Sequence, residues 1–173
     1  MKRSNLSFMP EFFDRYIKLV DESISLLRGL AETQEAFSDL EDELVEVQDY
    51  RYQPEKWTPR DMLQHVIDNE RIQSYRALAI ARGEKVTLPG YNENSYAANT
   101  TANNRNLDEL LDEFNVVRHS TILLFDSFSE KQMLIEGICF EIKVTPLALG
   151  FQIIGHQLHH LNVLKERYLN LIA

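Results

Sequence analysis

Three histidines hold the chemistry this chain has to offer. His156 and His160 stand four residues apart in a segment of helical apolar periodicity, and His65 lies in another such segment. Residues i and i+4 of a helix share a face about one turn apart, and neutral imidazole is the commonest protein ligand for a transition metal. A pair from one helix and a third from a neighbour therefore describe a three-ligand site, which leaves positions open to water as a catalytic metal requires. The single Cys139 excludes an intramolecular disulfide and any cysteine-rich metal site, so histidine and carboxylate are the ligands left. Between His156 and His160 stand Gln157, Leu158 and His159, so the glutamate of the zinc-protease HExxH pattern is missing.

Four helical segments must position these side chains. The first is expected over Pro10 to Ala31, where Phe13, Tyr16, Ile17, Val20, Ile24 and Leu27 recur at three- and four-residue steps. The acidic stretch Glu32 to Asp49 reads as a solvated loop with at most a short helical turn. The second helix opens on Thr58 as cap, Pro59 in the first turn and Asp61 facing the helix dipole, and runs to Arg82 with Gly83 as its stop. From Glu84 to Asn106, Pro89, Gly90 and six asparagines argue for a long loop, a crossover or functional lid. The third helix spans Leu107 to Phe128, with Leu110, Phe114, Val117, Leu124 and Phe128 on one face. Gly137 to Val144 alternates like a short hairpin. Thr145 and Pro146 then repeat the opening of the second helix, and the fourth continues to about Leu171. The expected architecture is all-α, a four-helix bundle with long crossover connections in one domain over residues 1–173.

At about 100° per residue, Leu149, Ile153, His156, His160, Val163, Leu164, Arg167 and Leu171 fall on one stripe of the fourth helix, and His159 points away to its edge. On the second helix Met62, His65, Asn69, Ile72, Arg76 and Ala79 share a face, which turns His65 inward. Asp68 and Glu70 follow close behind as candidates to orient an imidazole or to act as general base, although neither falls beside His65 on the helix. Arg76 and Arg167 on inward faces are expected to pair with carboxylates. Cys139 reads as a small buried hydrophobe, and His119 as a surface residue.

Composition bounds the partners. The chain has 173 residues, 44% hydrophobic and 26% charged, in the ordinary range for a globular protein, and no apolar run approaches a membrane span. A formal charge of −9 without a Lys/Arg cluster argues against nucleic acid. Met1 to Pro10 carries no apolar signal core or cleavage site, so a cytoplasmic protein is expected.

The stretches YQPEKWTPRDMLQHVIDNERIQSYRALAIAR (Tyr52 to Arg82), LPGYNENSY (Leu88 to Tyr96) and GHQLHHLNVLKERYL (Gly155 to Leu169) resemble the DinB-like, YfiT-type superfamily of metalloenzymes. The combination of Lys56-Trp57-Thr58, His65 and the late HxxxH carries the likeness, which covers most of the chain. The resemblance implies a four-helix bundle, a divalent metal of zinc or nickel type held by His65, His156 and His160, and a homodimer. It also implies one of two activities on a small molecule: metal-dependent hydrolysis, or transfer or isomerisation using a low-molecular-weight thiol. Both are coherent with a three-histidine metal, which lowers the pKa of water or of a thiol. The competing expectation is a non-catalytic bundle, an interaction or stress-response module that metal merely stabilises.

Overall fold

The computed structural model describes residues 1–171; Ile172 and Ala173, and the side chain of Leu171 expected on the fourth helix's stripe, lie outside them. In chain order the helices are α1 (Asp14–Ile17), α2 (Leu26–Glu32), α3 (Glu41–Val47), α4 (Pro59–Ala81), α5 (Glu93–Ala98), α6 (Leu107–Asp126) and α7 (Glu130–Met133). A hairpin of β1 (Gly137–Cys139) and β2 (Ile142–Val144) follows, and then α8 (Pro146–Arg167). The architecture is the expected all-α bundle: α4 packs against α6 and α8, and the broken first helix lays α1 on α8 and α2 on α6 and α8.

That break corrects the expectation of one helix from Pro10 to Ala31. The chain leaves α1 after Ile17, and the carbonyls freed there need donors. Arg3 supplies them, its Nη1 donating to the carbonyls of Ile17, Lys18 and Val20 at 3.1, 3.1 and 2.8 Å. Asp21 Oδ1 then accepts from the Ser23 amide at 2.7 Å, a local turn that competes with helix. The acidic stretch is also more ordered than a solvated loop, because Leu44 and Val47 of α3 are buried while Glu41, Asp42 and Glu43 fill the first turn, where the dipole favours them.

The long helices start as their sequences dictate. Thr58 Oγ1 accepts from the Asp61 amide at 3.0 Å and Asp61 answers to the Thr58 amide at 3.1 Å, a reciprocal cap on α4. Thr145 Oγ1 does the same for α8 through Ala148 at 3.2 Å. Gly83, at φ +90°, turns the chain out of α4 in a region that favours glycine. The loop from Glu84 to Asn106 contains α5 and is pinned to the hairpin: the Leu88 amide donates to the Ile138 carbonyl at 2.9 Å and the Phe140 amide to Leu88 at 2.7 Å.

Two apolar clusters fill the bundle. One joins α1, α2, the end of α4 and the start of α8 around Ile17, Leu30, Leu149 and Phe151; the other joins α3, the start of α4, α6 and the end of α8 around Phe37, Ile67, Phe114 and Leu164. Between them runs a belt of buried polar side chains that includes His65, Asn69, Glu70, Arg118, Gln152 and His156. Among the described residues no helix is long and apolar enough to cross a membrane.

Candidate metal centre

The belt brings the three histidines together. His65 comes from α4 and His156 and His160 from α8, and all three are buried. His65 Nε2 lies 3.0 Å from His156 Nε2, which in turn lies 3.2 Å from His160 Nε2. A ring nitrogen carries one hydrogen or one lone pair. His156 Nε2 therefore cannot satisfy both neighbours that aim at it by hydrogen bonding. The donor set fits a cation instead: metal–nitrogen bonds of about 2.1 Å set ligand nitrogens roughly 3.0 to 3.4 Å apart for angles from 90° to tetrahedral. One candidate ligand atom from each of the three residues lies within 4.8 Å of the others.

Burial sets the protonation of the site. It pushes the His65 pKa down to about 4 and drives His156 and His160 well below the ordinary value, with the neighbouring imidazoles adding to the shift. All three are thus neutral at pH 7, the form that ligates a metal. Aromatic rings fix their orientation. Trp57 leans on His65 with centroids 4.7 Å apart, and Tyr16 meets His156 edge-on at 5.1 Å. Tyr16 gets there because α1 crosses α8 at Gly155, where a β-carbon would sit 2.0 Å from the Tyr16 carbonyl oxygen. On His160, Nδ1 is buried with no hydrogen-bond partner among the described residues.

The other sequence candidates are placed elsewhere. His159 is exposed and packs on Tyr16 at the edge of the site, and His119 is exposed on α6, both as expected. Cys139 is buried, as expected of a small hydrophobe. Glu70 turns away from the imidazoles and accepts both Nε and Nη2 of Arg118 at 2.9 Å, a buried pair of 1% and 0% exposure. Asp68 accepts from Gln64 at 3.0 Å, and burial raises its carboxyl pKa. Arg167 is exposed, contrary to the inward position expected of it. Arg76 is buried without the carboxylate partner expected of it: its contacts are Gln73 Oε1 at 3.3 Å and the Pro89 carbonyl at 2.6 Å. The inward face of α4 also runs through Gln73 rather than Ile72, which is half-buried.

Beside the trio opens a cleft of about 330 Å³. Its floor stands one helical turn from the imidazoles, formed by Asn69 after His65 and Gln152 before His156, which hydrogen-bond to each other at 3.3 Å, with Tyr16 alongside. Asn69 Nδ2 also donates to the Tyr91 hydroxyl at 2.8 Å, and burial raises that phenol to about 12. Helical phase had marked Asn69, but Tyr16, Gln152 and Tyr91 were not anticipated; the LPGYNENSY segment held the only sequence signal for Tyr91.

The comparisons with known proteins agree with this architecture. The model of the DinB superfamily matches residues 25–164, and the chain belongs to that superfamily. The solved structure of YfiT from Bacillus subtilis, characterised as a probable metal-dependent hydrolase with an unusual four-helix bundle topology, is similar to it. The TM-score is 0.72 at 17% identity, over 88% of this chain and 92% of that one. At that identity the likeness speaks for the fold. No curated protein matches the chain at the level of sequence.

Proposed function

We propose that this chain is a metal-dependent enzyme acting on a small molecule, with His65, His156 and His160 holding one divalent cation of zinc or nickel type. The observation that carries the reading is the convergence of three neutral Nε2 atoms on one point, with contacts of 3.0 and 3.2 Å that hydrogen bonding cannot satisfy together. A cation bound there supplies a Lewis acid that lowers the pKa of water or of a thiol, which serves hydrolysis or thiol S-transfer alike. The protein's part is positional: Trp57 and Tyr16 hold two of the rings, and burial keeps all three unprotonated. Glu70 is committed to Arg118, so of the two carboxylates that follow His65 on α4, Asp68, raised by burial, is the one free to move a proton. Glu93, on the cleft wall and likewise raised by burial, is the other candidate. A half-open cleft whose floor, Asn69 and Gln152, stands one helical turn from the trio favours an enzyme over a module stabilised by metal, since a purely structural site has no use for one. YfiT's description as a probable metal-dependent hydrolase supports the same reading. A single domain, homodimeric assembly, a thiol co-substrate and a cytoplasmic setting rest on the sequence and its family resemblance; light scattering reads the dimer directly.

The test is elemental analysis of untagged protein. About one zinc or nickel per chain is expected, and His160→Ala is expected to abolish it. A wild-type chain that stays metal-free in micromolar zinc and nickel overturns the proposal.

A further inference from the structure

The cleft has a chemistry of its own away from the imidazoles. Arg76 lines it, only 5% exposed, and two of its five N–H groups are engaged, both by neutral oxygens. No carboxylate within ion-pair distance answers this guanidinium among the described residues, whereas the other buried arginine, Arg118, is fully matched by Glu70. A buried cation without a counter-ion is costly, and an anionic ligand would supply the partner it lacks. Glu93, the one carboxylate on the cleft wall, is influenced by Arg15 rather than Arg76. A second buried group in the same cleft is unsatisfied: Gln152, 1% exposed, donates through Nε2 to Asn69, but its Oε1 has no donor among the described residues. Much of the remaining wall is aromatic or apolar, with the rings of Phe12, Phe13, Tyr16, Tyr91 and Phe140 beside Ile142.

We propose that the cleft recognises a small organic anion: Arg76 takes its carboxylate or phosphate, and Gln152 Oε1 accepts an N–H or O–H group from its middle. An apolar or aromatic portion rests on the ring-lined wall. Arg76 lies eleven residues beyond His65 on α4, about 16 Å along the axis, and its side chain leans back toward the N-terminus as helical side chains do. A ligand on the order of 10 Å long thus runs from the guanidinium toward the imidazoles. This assignment rests on the proposed enzyme reading for its meaning as a substrate class, but the anion anchor itself needs no metal.

The test therefore uses chelator-treated, metal-free protein and a graded set of probes followed by calorimetry and by the Arg76 Nε–H resonance. Hippurate carries an aromatic ring, an amide N–H and a carboxylate; hippuramide removes the charge, N-methylhippurate removes the donor, and benzamidomethylphosphonate replaces carboxylate by phosphonate. Hippurate is expected to bind about ten- to a hundredfold more tightly than hippuramide, in keeping with charge-assisted hydrogen bonds to a shielded guanidinium. It is also expected to bind more tightly than N-methylhippurate, and the phosphonate decides which anion the fork prefers. Arg76→Gln is expected to erase the preference for charge while Arg76→Lys keeps part of it, and His160→Ala is expected to leave it intact. Equal binding of hippurate and hippuramide to wild type overturns the proposal without any variant having to fold. So does binding by hippurate only when metal is present, or a charge preference that survives Arg76→Gln. Equal binding of N-methylhippurate overturns the role of Gln152. Loss of metal in His160→Ala with anion binding retained, or the reverse, separates this inference from the metal proposal.

Discussion

Replacing Glu70 by glutamine tests whether the one acidic residue fully buried among the described residues is structural. The side chain keeps its size and loses its charge, which leaves the Arg118 guanidinium, 0% exposed, without a counter-ion. Arg118 would still reach the Leu30 carbonyl at 3.2 Å and Thr33 Oγ1 at 2.7 Å, so it stays in place as an uncompensated buried cation. Breaking such a pair costs about 3 to 5 kcal/mol. For a chain of this size each kcal/mol moves the melting temperature by about 2 to 4 °C, so Glu70→Gln should melt about 6 to 20 °C below wild type. An exposed pair would cost about 0 to 1 kcal/mol and shift it by at most about 4 °C. The assay is thermal and urea unfolding of wild type, Glu70→Gln, Arg118→Met and the double variant. Because the two residues act as a unit, the double variant should be less destabilised than the sum of the singles by more than about 1 kcal/mol. The variants that fold should bind metal as wild type does, since Glu70 touches none of the imidazoles. A Glu70→Gln chain melting within about 4 °C of wild type, or additive single effects, would refute the reasoning.

Metal-free protein should lose stability in mild acid: the folded pKa of His65 is about 4 and those of His156 and His160 are also depressed, so the unfolded chain takes up protons first as pH falls. Their contribution is whole above about pH 7.5 and drains away toward pH 4; His65 alone removes about 2 kcal/mol between about pH 7.5 and 5, and a flat urea-unfolding profile over that window contradicts this. Gly155→Ala should destabilise by about 1 to 3 kcal/mol, because its β-carbon falls 2.0 Å from the Tyr16 carbonyl oxygen and must push α1 off α8. A variant melting like wild type would show that α1 yields freely. Asp68→Asn should leave metal content at the wild-type level while suppressing any turnover found, and unchanged turnover removes Asp68 as the proton carrier.

How far the sequence announced this molecule depended on how local the cause was. The start of α4 was legible because Thr58, Pro59 and Asp61 cap their own helix within four residues, and Thr145 with Pro146 did the same for α8. The inward phase of His156 and His160 followed from helical spacing. That His65 meets them depends on how α4 crosses α8, which periodicity does not contain; the inward phase of His65 allowed the meeting, and the family resemblance implied it. The break between α1 and α2 was hidden because the apolar rhythm continues across it, while its cause, Arg3 reaching carbonyls fourteen to seventeen residues away, is non-local. The same holds for Arg76, whose helical phase was plain but whose want of a carboxylate appears only when every neighbour is in place.

The polar belt gives the bundle an unusual mechanical economy. It runs where two oily clusters meet across Leu158, and among the described residues its members Gln152, Gln157 and His160 each leave one polar atom unpartnered. Filling that waist couples the compartments: a species that binds only the folded chain adds about 4 kcal/mol when present at a thousand times its dissociation constant. Loading and folding then become one equilibrium, so a metal-free molecule keeps its fold but unfolds at a lower temperature and yields to proteases sooner than a loaded one.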